Sequence, residues 1–537
     1  MKQIAELYER NKRWLFTALI MVFVWGMFAH GYVFLNNNPS HDSLREFHSE
    51  ILGNDIKMGS GRVFTPIYRE LLGSDVTLPW FLGVLSLLWI GLAVFLVIRI
   101  FNIESKIIMF LIAGIFTTNI SVSATAATYI HDLDSYMFAM VCAVAAVYLW
   151  KGFTRGWLFG IVPIAVSLGI YQSYLFVAVT LIMIVCIMEL LNYERFKDVL
   201  LHGLKGIIMI VLGGMFYYLS MKLILNAAGI PLSTGEYNSL DVMLSLSPDR
   251  IAELVLSAYQ DWFERLFCAY SSYPSILVKG IFLSLCIIFV LAYMLALLNK
   301  KIHIAEKLLC TVLVLMLPLG MNMIHVLTNA NNHDLMVYPI WLYYLFVLLL
   351  SDWLVKLSKS TEHKPVPQMM RIQQLLCIFL IFALLYGNVR FANGMYIKKD
   401  LEHDAYVSLM TRVLGRIENL DGYLPGETPV VFVGLPENLN KVLPGFKDYW
   451  NVTAMTNSDM IYASERSRFQ AFFDYILGVP ILLADGNVWT EITRQESVEQ
   501  MPNYPADGCT AFQNGVLIVK LGNESIRYNK LRKLKRA

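Results

Sequence analysis

The sequence predicts a mainly α, polytopic membrane protein. Its parts are a bundle of about eleven transmembrane helices, amphipathic helices at the outer surface, and a small C-terminal α/β domain. Three observations lead there. Of 537 residues, 57% are hydrophobic and only 16% are charged, where soluble chains carry about a quarter charged residues. Mean hydropathy is +0.54. Apolar runs long enough to cross a hydrocarbon core recur between Trp14 and Ala392, and normal polar composition returns only after them.

Taken in order, the spans fall at roughly 14–35, 78–101, 106–123, 135–150, 156–169, 171–191, 204–225, 276–298, 308–327, 335–355 and 372–392. Met1 to Arg13 is basic, but the apolar run behind it is too long for a signal peptide and lacks a small-residue cleavage pattern. It reads as a retained first span. The apolar stretch around Gly169-Ile170-Tyr171-Gln172-Ser173 is too long for one ordinary span, so a tight turn dividing two helices is expected there.

Charge sets the expected orientation. One set of alternating connections holds Lys2, Arg10, Lys12, Arg13, Arg99, Lys106, Lys151, Arg155, Arg195, Lys197 and Lys205, then Lys300, Lys301, Lys307, Lys356, Lys359, Lys364 and Arg371. The opposite set has Arg45, Lys57, Arg62 and Arg69 in its first loop, with Arg250 and Arg265 in another. Basic residues in short loops mark the cytoplasmic side. The N-terminus is therefore expected inside and the C-terminal region outside, with a domain division of 1–394 and 395–537.

Three extracytoplasmic regions follow. Residues 36–77 are polar with amphipathic spacing (Leu44, Phe47, Ile51; Ile67, Leu71, Leu72) and read as one or two surface helices. Residues 226–274 have the same character, with Ile251, Leu254, Val255 and Ala258 on one face. Residues 393–537 carry soluble charge density and short β-type runs, Val430–Val433, Ile481–Leu483 and Val516–Val519, near Gly or Pro. The basic tail, Arg527 to Arg536, reads as a disordered end or a headgroup-binding stretch.

Several function classes find no support. The seven cysteines are scattered without CxxC spacing, which argues against a zinc site or a disulfide framework. There is no internal repeat, glycine-rich nucleotide loop or low-complexity segment, and nothing points to a nucleic acid partner.

The polar residues concentrate in three short clusters at the expected outer ends of spans. They are Pro39-Ser40-His41-Asp42, then Tyr129-Ile130-His131-Asp132-Leu133-Asp134-Ser135-Tyr136, then Asn329 to Asp334 with His333. A further pair, His403-Asp404, opens the C-terminal region. Any one cluster could be a hydrated helix cap, since Asp and Asn are favoured there, and Asp134 and Asp334 in particular could cap the helices that follow them. Three clusters on one face point instead to a site, because ionisable groups near membrane depth usually face a cavity.

The order of Pro39-Ser40-His41-Asp42, the Tyr129–Tyr136 loop before Met137-Phe138-Ala139-Met140, and Gly169-Ile170-Tyr171-Gln172-Ser173-Tyr174 resembles the GtrII family of bacterial glucosyltransferases. The resemblance covers roughly the first 400 residues. More broadly the chain is similar to GT-C glycosyltransferases. It implies transfer of a sugar, glucose, from a polyprenyl-phosphate donor such as undecaprenyl phosphate to O-antigen, lipopolysaccharide or another cell-surface polysaccharide. That transfer would occur at the outer face of the bacterial cytoplasmic (inner) membrane with inversion. The implied partners are the lipid-linked donor, a glycan acceptor, membrane lipid, and a separate flippase and donor-synthesising glycosyltransferase.

Such a reaction needs a general base for the acceptor hydroxyl. The resemblance gives that role to Asp42, with His41, Asp132 and Asp134 as alternatives or orienting partners. The leaving phosphate needs cations, and Arg62 and Arg69 suit it through bidentate guanidinium binding, although a snorkelling surface charge would look the same. Tyr129, His131, Tyr171, Gln172, Tyr174, His333 and Asp334 are candidate substrate contacts, against the ordinary enrichment of aromatics at membrane interfaces. No cofactor is expected. His41, Asp42, His131, Asp132, His333 and Asp334 could supply mixed ligands to a divalent cation, but no fixed ligand spacing supports one. The rivals are a lipid-linked-sugar transporter or flippase, which predicts mid-bilayer polar breaks and repeats, and an O-antigen-type polysaccharide polymerase.

Overall fold

A computed structural model describes residues 2–36, 39–40, 53–74, 76–234, 248–268, 276–299, 302–358, 365–434 and 466–523. The chain is mostly helical, with a small sheet near its C-terminal end. It divides into two compact units. The first comprises Met1–Asn36, Glu50–Ala126 and Ile130–Asn393; the second comprises Asn37–Ser49, Ala127–Tyr129 and Gly394–Ala537.

The helices of the first unit are α1 (Lys2–Leu35), α2 (Gly53–Gly59), α3 (Thr65–Leu71), α4 (Pro79–Ile100), α5 (Lys106–Thr117), α6 (Ile120–Thr128), α7 (Ile130–Gly152), α8 (Gly156–Phe159), α9 (Ile161–Ile170), α10 (Leu175–Leu191) and α11 (Phe196–Ala228). They continue with α12 (Ile251–Cys268), α13 (Ile276–Leu297), α14 (Ile304–Met321), α15 (Met323–Leu327), α16 (Leu342–Ser358) and α17 (Pro365–Glu418), whose residues from Gly394 on belong to the second unit. Among the described residues nine helices are long and apolar enough to cross a membrane. The chain is therefore a multi-pass membrane protein.

All eleven expected spans coincide with helices, but two fall short of a straight crossing. The third is bent by 42° between α5 and α6. The cause is local: Thr117 and Thr118 donate back to Ala113 O and Gly114 O, and Asn119 Nδ2 donates to Ile115 O and Phe116 O. These side chains compete for carbonyls that a continuing helix would need. Asn119 Oδ1 then accepts from Val122 N and starts α6. The fifth, Gly156–Ile170, is a shorter apolar helical stretch. The expected turn follows it: the helix stops at Tyr171, Gln172–Tyr174 form a 3-10 turn, and α10 begins.

Helix α4 packs between α1 and α7, and α9 packs on α7 and α11. Gly83 and Gly91 of α4 make the first contact close. A Cβ at Gly83 would stand 2.5 Å from the Phe34 ring, and one at Gly91 would stand 2.6 Å from Leu19. Two glycines eight positions apart share a helix face. By contrast, α11 exposes Leu219 and Leu223, as a lipid-facing helix should.

Within the expected amphipathic segments, Gly53–Gly59, Thr65–Leu71 and Ile251–Cys268 are helical, whereas Leu44, Phe47 and Ile51 lie outside the described residues. In α3, Ile67 and Leu71 are exposed while Tyr68 and Arg69 are buried. In α12, Leu254 and Ala258 are buried as the spacing predicts, but Ile251 is exposed.

Among the described residues the second unit holds a four-stranded sheet in the order β2-β1-β4-β3, with β1 (Pro429–Val433) parallel to β2 (Leu482–Leu483) and to β4 (Val516–Lys520). Strand β3 (Thr510–Gln513) pairs antiparallel with β4. Strand periodicity splits the buried residues between two faces. Val430, Phe432, Leu517 and Val519 pack on Tyr406, Met410, Val413, Phe469 and Phe472, whereas Val431 and Ile518 pack on Ala484, Ile492 and Val498. His403 and Asp404, which open the C-terminal region, lie within α17. The tail from Arg527 to Arg536 lies outside the described residues.

Candidate functional site

The first turn of α7 organises the site. Asp132 is 1% exposed, and its Oδ1 receives Lys57 Nζ at 2.7 Å and Arg69 Nη2 at 3.0 Å. Its Oδ2 accepts from the Tyr136 hydroxyl at 3.4 Å and lies 3.5 Å from His131 Nε2. An acidic residue in a helix's first turn complements the macrodipole. Two cations there do not, and Asp132 pairs with both of them.

The segment carrying the cations is fastened from several helices. Arg62 Nη1 donates to the Tyr136 hydroxyl at 2.9 Å, and its guanidinium carbon sits 4.7 Å from the Tyr171 ring centroid. Tyr136 and Tyr171 stack at 4.2 Å. Gln172 Nε2 donates to Ser60 O and to the Tyr217 hydroxyl, which itself donates to Gly61 O at 2.9 Å. Phe64 N donates to Gly169 O at 2.9 Å, and a Cβ at Gly169 would stand 2.1 Å from Phe64 Cδ2. The glycine opening the Gly169–Tyr174 motif thus brings the turn between α2 and α3 against the end of α9.

Asp134 points elsewhere. It is 2% exposed, and a Cβ at Gly73 would lie 3.2 Å from both its Oδ2 and Tyr68 Cε1. Trp89 Nε1 donates to the Tyr68 hydroxyl at 2.8 Å. Burial, with the nearby Asp134 carboxyl, holds that hydroxyl's pKa well above its ordinary value.

The other sequence candidates are placed as follows. Asp334 Oδ1 pairs with Arg265 Nη1 at 2.5 Å, and Arg265 Nε also reaches Asp261 Oδ2 at 2.8 Å. Asn322 and Asn332 donate to that Asp261 oxygen, and His325 Nδ1 lies 3.5 Å from it. Burial lowers the pKa of His333, with the neighbouring Asp334 opposing and Arg265 reinforcing the shift. Tyr174 is buried beside Tyr171 and Tyr338. Tyr129 groups with the second unit. His41 and Asp42 lie outside the described residues. Among the described residues no three His, Cys, Asp or Glu side chains come together to hold a metal ion.

A family model described as glucosyl transferase GtrII matches residues 31–389. The chain belongs to the GtrII glucosyltransferase family. No curated protein and no solved structure matches it. The matched range of this GtrII member includes the whole cluster around Asp132. Sequence reasoning singled out Arg62, Arg69, His131, Asp132, Tyr171 and Gln172 from that cluster and included Tyr136 in the polar run it marked, but missed Lys57 and Tyr217 as members. Lys57 carried a signal: it is a cation in the same short loop as the two arginines. Tyr217 carried none, since it lies well inside an apolar helix.

Proposed function

We propose that this GtrII member transfers glucose from a polyprenyl-phosphate donor to O-antigen or another cell-surface glycan, at the outer face of the bacterial cytoplasmic membrane. In this reading Asp42 takes the proton of the acceptor hydroxyl as that oxygen attacks the anomeric carbon. The bond from the anomeric carbon to the phosphate oxygen breaks, the configuration inverts, and polyprenyl phosphate leaves with one more negative charge. Arg62 and Arg69 offset that charge. The supporting observation is the family match, together with buried guanidinium and ammonium groups gathered on one carboxylate within it.

The test is transfer of labelled glucose from polyprenyl-phosphate glucose by the purified full chain, with and without EDTA. Wild type should transfer in both conditions, and Asp42→Asn should lose transfer while keeping donor affinity. Full activity in Asp42→Asn sinks its assignment as the base. Loss with EDTA overturns the metal-free reading.

A further inference from the structure

We infer that Lys57 is a ligand of the donor's phosphate, and that Asp132 is the positioning residue that holds Lys57 and Arg69 to receive it. This rests on the proposed polyprenyl-phosphate donor and assigns residues to that same site. Lys57 and Arg69 come from different short helices, α2 and α3, yet both reach Asp132 Oδ1. Their side chains are 9% and 6% exposed, and that of Asp132 is 1% exposed.

A buried ion cluster is poor evidence for stability, because apolar residues of similar volume usually serve the fold as well or better. A function explains it more directly. The two cations stand at the first turn of α7, where backbone N–H groups and the helix dipole favour an anion. A guanidinium offers planar bidentate binding and an ammonium a compact point charge, and phosphate is bound by both. A phosphodiester gains negative charge as it becomes a leaving monoester. Cations already fixed in place stabilise that gain without reorganising.

Asp132 is a poor choice for the base under this assignment. Its Oδ1 is occupied by two cations and its Oδ2 faces the Tyr136 hydroxyl and His131. A carboxylate so engaged fixes geometry better than it accepts a proton.

The experiment uses the purified full chain, with polyprenyl monophosphate as the probe and polyprenol lacking phosphate as control. Lys57→Met should bind the monophosphate at least tenfold more weakly, bind polyprenol as wild type does, and raise the donor KM without raising the acceptor KM. The double variant Lys57→Met/Asp132→Asn removes one charge of each sign, and should show the same phosphate-specific loss if the single variant fails to fold. Asp132→Asn should raise the donor KM and weaken monophosphate binding, with partial rescue in Asp132→Glu. Wild-type monophosphate affinity in the Lys57 variants, or a loss equal for polyprenol, overturns the role of Lys57. A fall in kcat alone in Asp132→Asn overturns the positioning role. If wild type transfers no glucose from the polyprenyl-phosphate donor, the proposed function fails and takes this inference with it. If wild type transfers and the Lys57 variants match it, only the inference fails.

Discussion

Lys57 Nζ lies 2.7 Å from Asp132 Oδ1, although the two residues are 75 positions apart. One is on a short helix of the first connecting segment, and the other opens a membrane-spanning helix. The pair, with Arg69 on the same oxygen, ties that segment to the bundle.

Removing the shared carboxylate should therefore loosen the segment. Asp132→Ala leaves two buried cations without it, and breaking a buried pair in this way costs roughly 3–5 kcal/mol. Thermal unfolding of the detergent-solubilised chain should register the loss. A variant as stable as wild type would show that the cations relax into solvent.

The contact between Gly169 and Phe64 should be equally sensitive. Gly169→Ala places a Cβ 2.1 Å from the Phe64 ring, and overpacking of this kind costs about 1–3 kcal/mol. Glucosyl transfer should fall because the displaced turn carries Arg62. Adding Phe64→Leu makes room, so the double variant should recover activity relative to Gly169→Ala. Additive losses would mean that the two residues do not share one contact.

Tyr217→Phe deletes the hydroxyl that donates to Gly61 O and accepts from Gln172. About 1 kcal/mol of local stability should go with it. Hydrogen exchange at Ser60 to Arg62 should quicken while the rest of the bundle is unchanged. Uniform protection in both proteins would leave the staple without effect.

The node around Asp261 should give the chain an acid limit. Burial pushes its carboxyl upward, but His325, Arg265 and Asn322 outweigh that and hold its pKa well below the ordinary 3.8. The folded state then binds fewer protons than the unfolded one. The contribution of Asp261 is fully present above about pH 4 and is lost as the pH falls toward the folded value. Asp261→Asn should be less stable than wild type at neutral pH and lose less on acidification below about pH 4. Melting temperatures measured against pH for both proteins decide it, and parallel acid limbs would exclude Asp261 as the titrating group.

The sequence by itself determined the membrane class, the places of the nine helices that are long and apolar enough to cross among the described residues, the amphipathic helices Thr65–Leu71 and Ile251–Cys268, and the small C-terminal sheet. These are readable because each rests on local quantities: run length against bilayer thickness, and the periods of helix and strand. It also marked Arg62, Arg69 and Asp132 as chemically loaded, and the order of its short motifs carried the family. Only the tertiary structure decided which of these residues meet. That Lys57 joins Arg69 on Asp132, that Asp134 turns toward Tyr68 and Gly73, and that Gln172 holds the Ser60 carbonyl depend on how separate helices pack. The bend at Asn119 was likewise hidden, because it arises from side chains competing for backbone carbonyls inside an apolar run. Periodicity assigns a residue to a face of its own helix. Which distant group stands opposite is set by packing across the bundle, and a single sequence carries no local trace of that.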